Sequence, residues 1–118
     1  MRLASESLLM ELADRFYVGV TGDDALRAMY PDADLTAAAQ HLGWFLVEFW
    51  GGPITYSKAR GYPSLRIRHL PFPITVELRD RWLAHMRTAM AEVAIDEPDK
   101  AKLWRWFTAE AEALVNLP

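Results

Sequence analysis

The chain has 118 residues, below the length of about 150 that serves as a prior for one domain, so a single unit over residues 1–118 is expected and a separate catalytic partner domain is not. Hydrophobic residues make up 52% and charged ones 25%, far from a disordered composition, and a net charge of −3 argues against coating nucleic acid or an anionic membrane surface. Cysteine is absent, which removes disulfides, thiolate metal sites, Fe–S clusters and cysteine nucleophiles together.

Leu8, Leu9, Leu12, Phe16 and Val20 recur at three- and four-residue steps and predict an amphipathic helix from about Ser5 to Val20, with Tyr17 one position off its apolar seam. Thr21-Gly22-Asp23-Asp24 ends that helix and offers caps for a short one over Ala25 to Met29, which Tyr30-Pro31 stops. Asp34 caps a third helix whose core face reads Leu35, Ala38, Leu42, Phe45, Leu46 and Phe49 before Gly51-Gly52-Pro53. From Pro53 to Thr75 the prolines break every period, so this stretch reads as loop with room only for short helical turns. Thr75 caps a helix through Trp82, Met86, Met90 and Val93, and Asp96-Glu97-Pro98 opens a last one with Leu103, Phe107, Ala111 and Leu114 on one face. No stretch alternates like a strand, and the fold class is all-α.

Two features ask for a function. Fourteen aromatic residues, five Trp, five Phe and four Tyr, are many for so short a chain. No Asp or Glu occurs between Glu48 and Glu77, while Lys58, Arg60, Arg66, Arg68 and His69 all lie in that interval. A loop of that length with apolar residues at Tyr62, Leu65, Ile67, Leu70, Phe72 and Ile74 reads as ordered and functional. No apolar run is long enough for a membrane span or a secretion signal, so a soluble cytoplasmic protein without membrane insertion is expected.

The usual enzyme signatures are missing. His41, His69 and His85 form no zinc-type pair, Gly51-Gly52-Pro53 follows a helix rather than a strand, and the carboxylates read as solvent-facing. His69, in Arg66-Ile67-Arg68-His69-Leu70-Pro71-Phe72-Pro73, sits among apolar residues and is flanked by bases. A lone histidine of this kind is commonly a satisfied structural residue. It also suits an apolar haem cavity, where iron binds one neutral imidazole and cations at the rim meet two propionates.

Phe16-Tyr17, Met29-Tyr30-Pro31, the run Phe49-Trp50-Gly51-Gly52-Pro53-Ile54-Thr55-Tyr56-Ser57, Arg60-Gly61, Leu65 to Phe72 and Arg79-Asp80-Arg81-Trp82-Leu83 resemble the group II truncated haemoglobins, in the same order and at similar spacing. The resemblance covers nearly the whole chain. It implies a two-over-two helical sandwich around haem b (iron protoporphyrin IX), with His69 as proximal iron ligand and Trp82, Tyr17 and Tyr30 as distal ligand-binding residues. It places Ala38, Leu42, Phe45, Phe72 and Met86 along the cofactor, and Arg68, Tyr56 and Arg60 at its rim. His41 reads equally as a propionate partner or a solvated surface residue, and His85 reads as surface. The chain departs from the family's usual Gly-Gly turn before the first long helix, where Ala4-Ser5 stand.

The resemblance implies a globin that binds dioxygen, and other diatomic gases such as NO and CO, and releases oxygen slowly. A second reading is a haem enzyme acting on peroxide or nitric oxide, which needs an external reductase because no flavin or nicotinamide signature is present. A third is a helical interaction module without cofactor. No nucleic-acid partner is expected, and a homodimer is the assembly to consider.

Overall fold

The computed structural model describes residues 6–30, 34–49 and 74–116. Among them run five helices and no strand: α1 (Glu6–Thr21), α2 (Asp24–Arg27), α3 (Thr36–Phe49), α4 (Val76–Glu92) and α5 (Glu97–Leu114). Helix α1 packs on α2, α3 and α4, and α4 packs in turn on α2 and α5. Two helix pairs, α1 with α3 and α4 with α5, therefore meet through the α1–α4 contact, and among the described residues the all-α expectation is met.

Local chemistry explains each boundary. In α1 the residues buried are Leu9, Leu12, Ala13, Phe16 and Val20, the predicted stripe with Leu8 moved to its flank. Asp23 caps α2 by accepting from the Leu26 N–H at 3.3 Å, and the helix lasts only four residues. The Asp34 carboxylate takes the Thr36 N–H at 2.9 Å and the Thr36 hydroxyl at 2.6 Å, closing a turn at the start of α3. Thr75 accepts from the Leu78 N–H at 3.2 Å and opens α4. Pro98, in the first turn of α5, fits where its missing N–H would have had no helical partner. Beyond α5, Asn116 clasps the entry to α4: its backbone N–H donates to the Ile74 carbonyl at 3.0 Å, and its side-chain oxygen accepts from the Ile74 N–H at 2.8 Å.

Helix α3 is turned relative to its sequence reading. Leu35, Ala39, Gly43, Phe45, Leu46 and Val47 are buried, whereas Ala38 and Leu42 are only half-buried; the Phe49 side chain lies outside the described residues. Gly43 faces α1, where an added Cβ would lie 2.5 Å from the Met10 sulfur. Helix α3 therefore comes close to α1 at Gly43, while Leu35, Phe45 and Leu46 of the predicted face are buried as well. The core formed by these helices centres on Phe16, Leu46, Met86, Leu103 and Phe107, each at most 1% exposed.

Leu12 is fully buried and Val18 is 74% exposed on the same helix. Leu12→Ala is expected to cost about 2–5 kcal/mol in urea unfolding, and Val18→Ala to stay within about 0.5 kcal/mol of the parent. The hydrogen bonds from Thr36 hold the Asp34 carboxyl below its usual range. A lowered folded-state value means that the unfolded chain takes up the proton first, so this stabilisation is present at neutral pH and lost as pH falls below about 4. The stability gap between the parent and Asp34→Ala, followed by thermal melts, is expected to narrow over that acid range.

Candidate functional site

Tyr17, Tyr30 and Trp82 come from three different elements and meet at one place. Tyr17 stands beside Phe16 in the last turns of α1, so when Phe16 enters the core Tyr17 is left on its flank. Trp82 lies on α4 one turn before the buried Met86. Tyr30 follows α2, and its main chain is fixed twice: its N–H donates to the Arg27 carbonyl at 3.1 Å, and the Arg27 guanidinium donates to the Tyr30 carbonyl at 3.0 Å.

The rings hold one another. Trp82 packs on Phe16 with centroids 4.8 Å apart and on Phe107 of α5 at 5.7 Å. Tyr17 meets Phe16 edge-on at 5.0 Å and Tyr30 edge-on at 5.4 Å, the arrangement that aromatic quadrupoles favour. The Tyr17 hydroxyl donates to the Tyr30 hydroxyl at 3.4 Å, and the Trp82 indole lies close enough to the Tyr30 phenol to hold down its rise in pKa. Removal from water is the main cause that raises both phenols above their ordinary value, Tyr17 the more strongly. Its neighbour Tyr30 pushes Tyr17 further up, whereas Tyr17 and Trp82 partly offset the rise at Tyr30. Both therefore stay neutral O–H groups at any physiological pH.

Ala38, Leu42 and Phe45 follow one another at i, i+4 and i+7 along one face of α3, with the first two half-buried. Phe45 is 5% exposed, and its ring lies 5.9 Å from that of Trp106 in α5. His41 is half-buried on the same helix with its ring 5.7 Å from Trp44, and Met86 is fully buried in the core beneath α4. His69, Arg68, Tyr56, Arg60 and Phe72 lie outside the described residues. What the described residues offer is an apolar stripe suited to a flat macrocycle, with N–H and O–H donors suited to a polar diatomic ligand, and that donor chemistry fits haem.

Two residues near these donors escaped the sequence reading. Asp23 is not a solvent-facing carboxylate: its side chain is 9% exposed, and its Oδ2 lies 2.8 Å from Nε2 of His85, itself a partly covered residue rather than a surface one. The available signal was Arg81 and His85 at i, i+4 on α4, two basic groups one turn apart facing a capping aspartate that no periodicity links to them.

Known proteins share this architecture. A model of the bacterial-like globin family matches residues 3–116. The group 2 truncated haemoglobin YjbI of Bacillus subtilis (strain 168) is 40% identical over 111 residues, covering 94% of this chain and 83% of that protein. The X-ray structure of a thermostable haemoglobin from the actinobacterium Thermobifida fusca superposes with a TM-score of 0.94 at 46% identity, covering 98% of this chain and 94% of that one. That of a truncated oxygen-avid haemoglobin from Bacillus subtilis gives 0.89 at 39% identity, over 95% and 94% of the two chains. With the family matched over nearly its whole length and the helical fold shared, the chain belongs to the bacterial-like globins, a haem-binding family, in the group II truncated haemoglobin branch.

Proposed function

We propose that the chain holds haem b through His69 and binds dioxygen against Trp82, Tyr17 and Tyr30, releasing it slowly. The reading gives Ala38, Leu42, Phe45, Phe72 and Met86 to the faces of the macrocycle, and Arg68, Tyr56, Arg60 and His41 to its propionates. The observation that carries it is the meeting of three polar-tipped rings from α1, the α2 end and α4 in apolar surroundings. The oxygen-avid character of the Bacillus subtilis relative, 39% identical, supports the same direction.

When bound, haem supplies the iron at which a diatomic gas is taken up. The rest falls to the side chains. Tyr17 commits its proton to Tyr30, so the Tyr30 O–H is a proton not spent within the tyrosine pair. It is the first donor on offer to a ligand oxygen that carries partial negative charge. Trp82 has no acceptor, and the two phenols are held neutral, so the set can donate without presenting a negative charge of its own. If Trp82 turns its N–H to the ligand, it exchanges a neutral interaction worth at most about 0.5–1.5 kcal/mol for a bond to a charged acceptor worth about 1.5–3 kcal/mol. The difference, about 1–2 kcal/mol, slows release by about 5- to 30-fold.

Trp82→Phe keeps the ring contacts in kind and removes the N–H. Stopped-flow release from the ferrous oxygenated protein is expected to be about 5- to 30-fold faster in that variant, and an unchanged rate overturns the role of Trp82. His69→Ala is expected to abolish the Soret band of the purified protein, and a band retained at the parent position and intensity overturns the assignment of the axial ligand.

A further inference from the structure

Asp23 lies in the turn between the two tyrosine-bearing segments, six residues after Tyr17 and seven before Tyr30. Its carboxylate meets two helices. Oδ1 accepts from the Leu26 N–H of α2 at 3.3 Å and from Nη1 of Arg81 on α4 at 3.1 Å; Oδ2 lies 2.8 Å from Nε2 of His85, one turn further along α4. Arg81 is steadied from below by Glu77, whose Oε1 accepts from its Nε at 3.3 Å. The His85 ring is seated against α1 at Gly19, where an added Cβ would stand 2.7 Å from Nδ1. The bond with His85, then the Leu26 N–H and Arg81, lowers the Asp23 carboxyl from its ordinary value, so the group is a carboxylate at neutral pH.

The trio of donors has little tolerance for movement. At 3.4 Å the Tyr17–Tyr30 hydrogen bond is already longer than the 2.5–3.0 Å typical of O–H···O contacts, so a further displacement of Tyr30 by a few tenths of an ångström breaks it. Trp82 is the chain neighbour of Arg81 and precedes His85 by three residues. A link that ties the start of α2 to Arg81 and His85 therefore also controls the separation between Tyr30, at the far end of α2, and Trp82.

We propose that Asp23 is a positioning residue for the distal donors: by capping α2 while gripping Arg81 and His85 of α4, it sets the distance of Tyr30 from Trp82 and Tyr17. The inference rests on the reading of those three residues as ligand donors. Asp23 itself touches neither ligand nor cofactor in this scheme. Its effect on ligand retention passes through Tyr30 and Trp82, and this separates it from a cap that only stabilises a helix.

Asp23→Ser retains an oxygen that can cap α2 and removes the reach to α4. In the holoprotein it is expected to speed oxygen release by about 3- to 10-fold and to shift or split the C–O stretching band of the carbon monoxide complex, which reports donors near the ligand. The indole N–H resonance of Trp82 is expected to move in the same variant. Gly19→Ala displaces the His85 ring without removing a charge, and is expected to shift the same band in the same direction by a smaller amount. A lowered melting temperature with the band, the resonance and the release rate unchanged in Asp23→Ser overturns the proposal and leaves Asp23 as a cap alone. In a Trp82→Phe/Tyr30→Phe background Asp23→Ser is expected to add nothing; an undiminished acceleration there also overturns it. Should the Trp82→Phe/Tyr30→Phe protein release oxygen at the parent rate, the donor reading falls, and the positioning role falls with it.

Discussion

Phe16 holds the two sides of the site together. It is fully buried in α1, its ring takes that of Trp82 from α4 at 4.8 Å, and its chain neighbour Tyr17 meets it edge-on at 5.0 Å. Successive residues on a helix are turned by about 100°, so a ring driven into the core leaves the next one at its border. One apolar contact at the crossing of α1 and α4 thus brings a phenol and an indole side by side. Phe107 closes the other face of Trp82 from α5 at 5.7 Å. Protein interiors pack at crystal-like density, so donors supported in this way inherit the stiffness of the core.

The same burial settles the character of the polar tips. A phenol removed from water resists ionisation, and both Tyr17 and Tyr30 are raised above their ordinary value. Had either become a phenolate it would accept hydrogen bonds only and would repel a ligand carrying partial negative charge. Kept neutral, each retains one proton to give, and the indole of Trp82 can do nothing but give. With the Tyr17 hydroxyl donating to the Tyr30 oxygen, the phenol tips are not left as isolated buried groups. The arrangement is donor-rich without carrying a formal charge, which a small apolar core tolerates better than it would a buried ion.

Much of the fold was legible because hydrophobic period is a strong signal where helices bury large side chains. The buried stripe of α1 and the Leu103, Phe107, Ala111 face of α5 follow from it, and the Thr75 hydroxyl marks the start of α4 as a cap. On α3 it found Leu35, Phe45 and Leu46 but not the α1-facing side, where Gly43 admits Met10, because a count of apolar bulk has no term for a missing side chain. The site was legible in a different way. Tyr17 lies off its seam and Tyr30 in a turn, so neither is marked by period, and both entered through a resemblance spread over several short motifs. Asp23 was legible as a cap for α2, but its contact with His85 was not. Sixty-two residues separate them, their 2.8 Å contact exists only once α1 and α4 have crossed, and nothing in the local sequence of either announces the other.

Helix α2 shows why such a distant contact matters. A helix of four residues does not repay the cost of its own nucleation, so its place must come from what surrounds it. Leu26, 4% exposed, supplies the apolar anchor; the Asp23 carboxylate ties the first turn to α4, and Arg27 grips the Tyr30 carbonyl at 3.0 Å. The three donors are therefore held by two kinds of force. Tyr17 and Trp82 stand on long helices against Phe16 and move only if the core moves. Tyr30 is held by the edge of the Tyr17 ring, one buried leucine and a set of polar contacts at a turn, and polar contacts weaken steeply with distance and angle. Of the three, Tyr30 is the one whose position small changes in turn chemistry can alter while the fold stays intact. It also takes the hydroxyl proton and the ring edge of Tyr17, so an adjustment there is felt beyond Tyr30 itself.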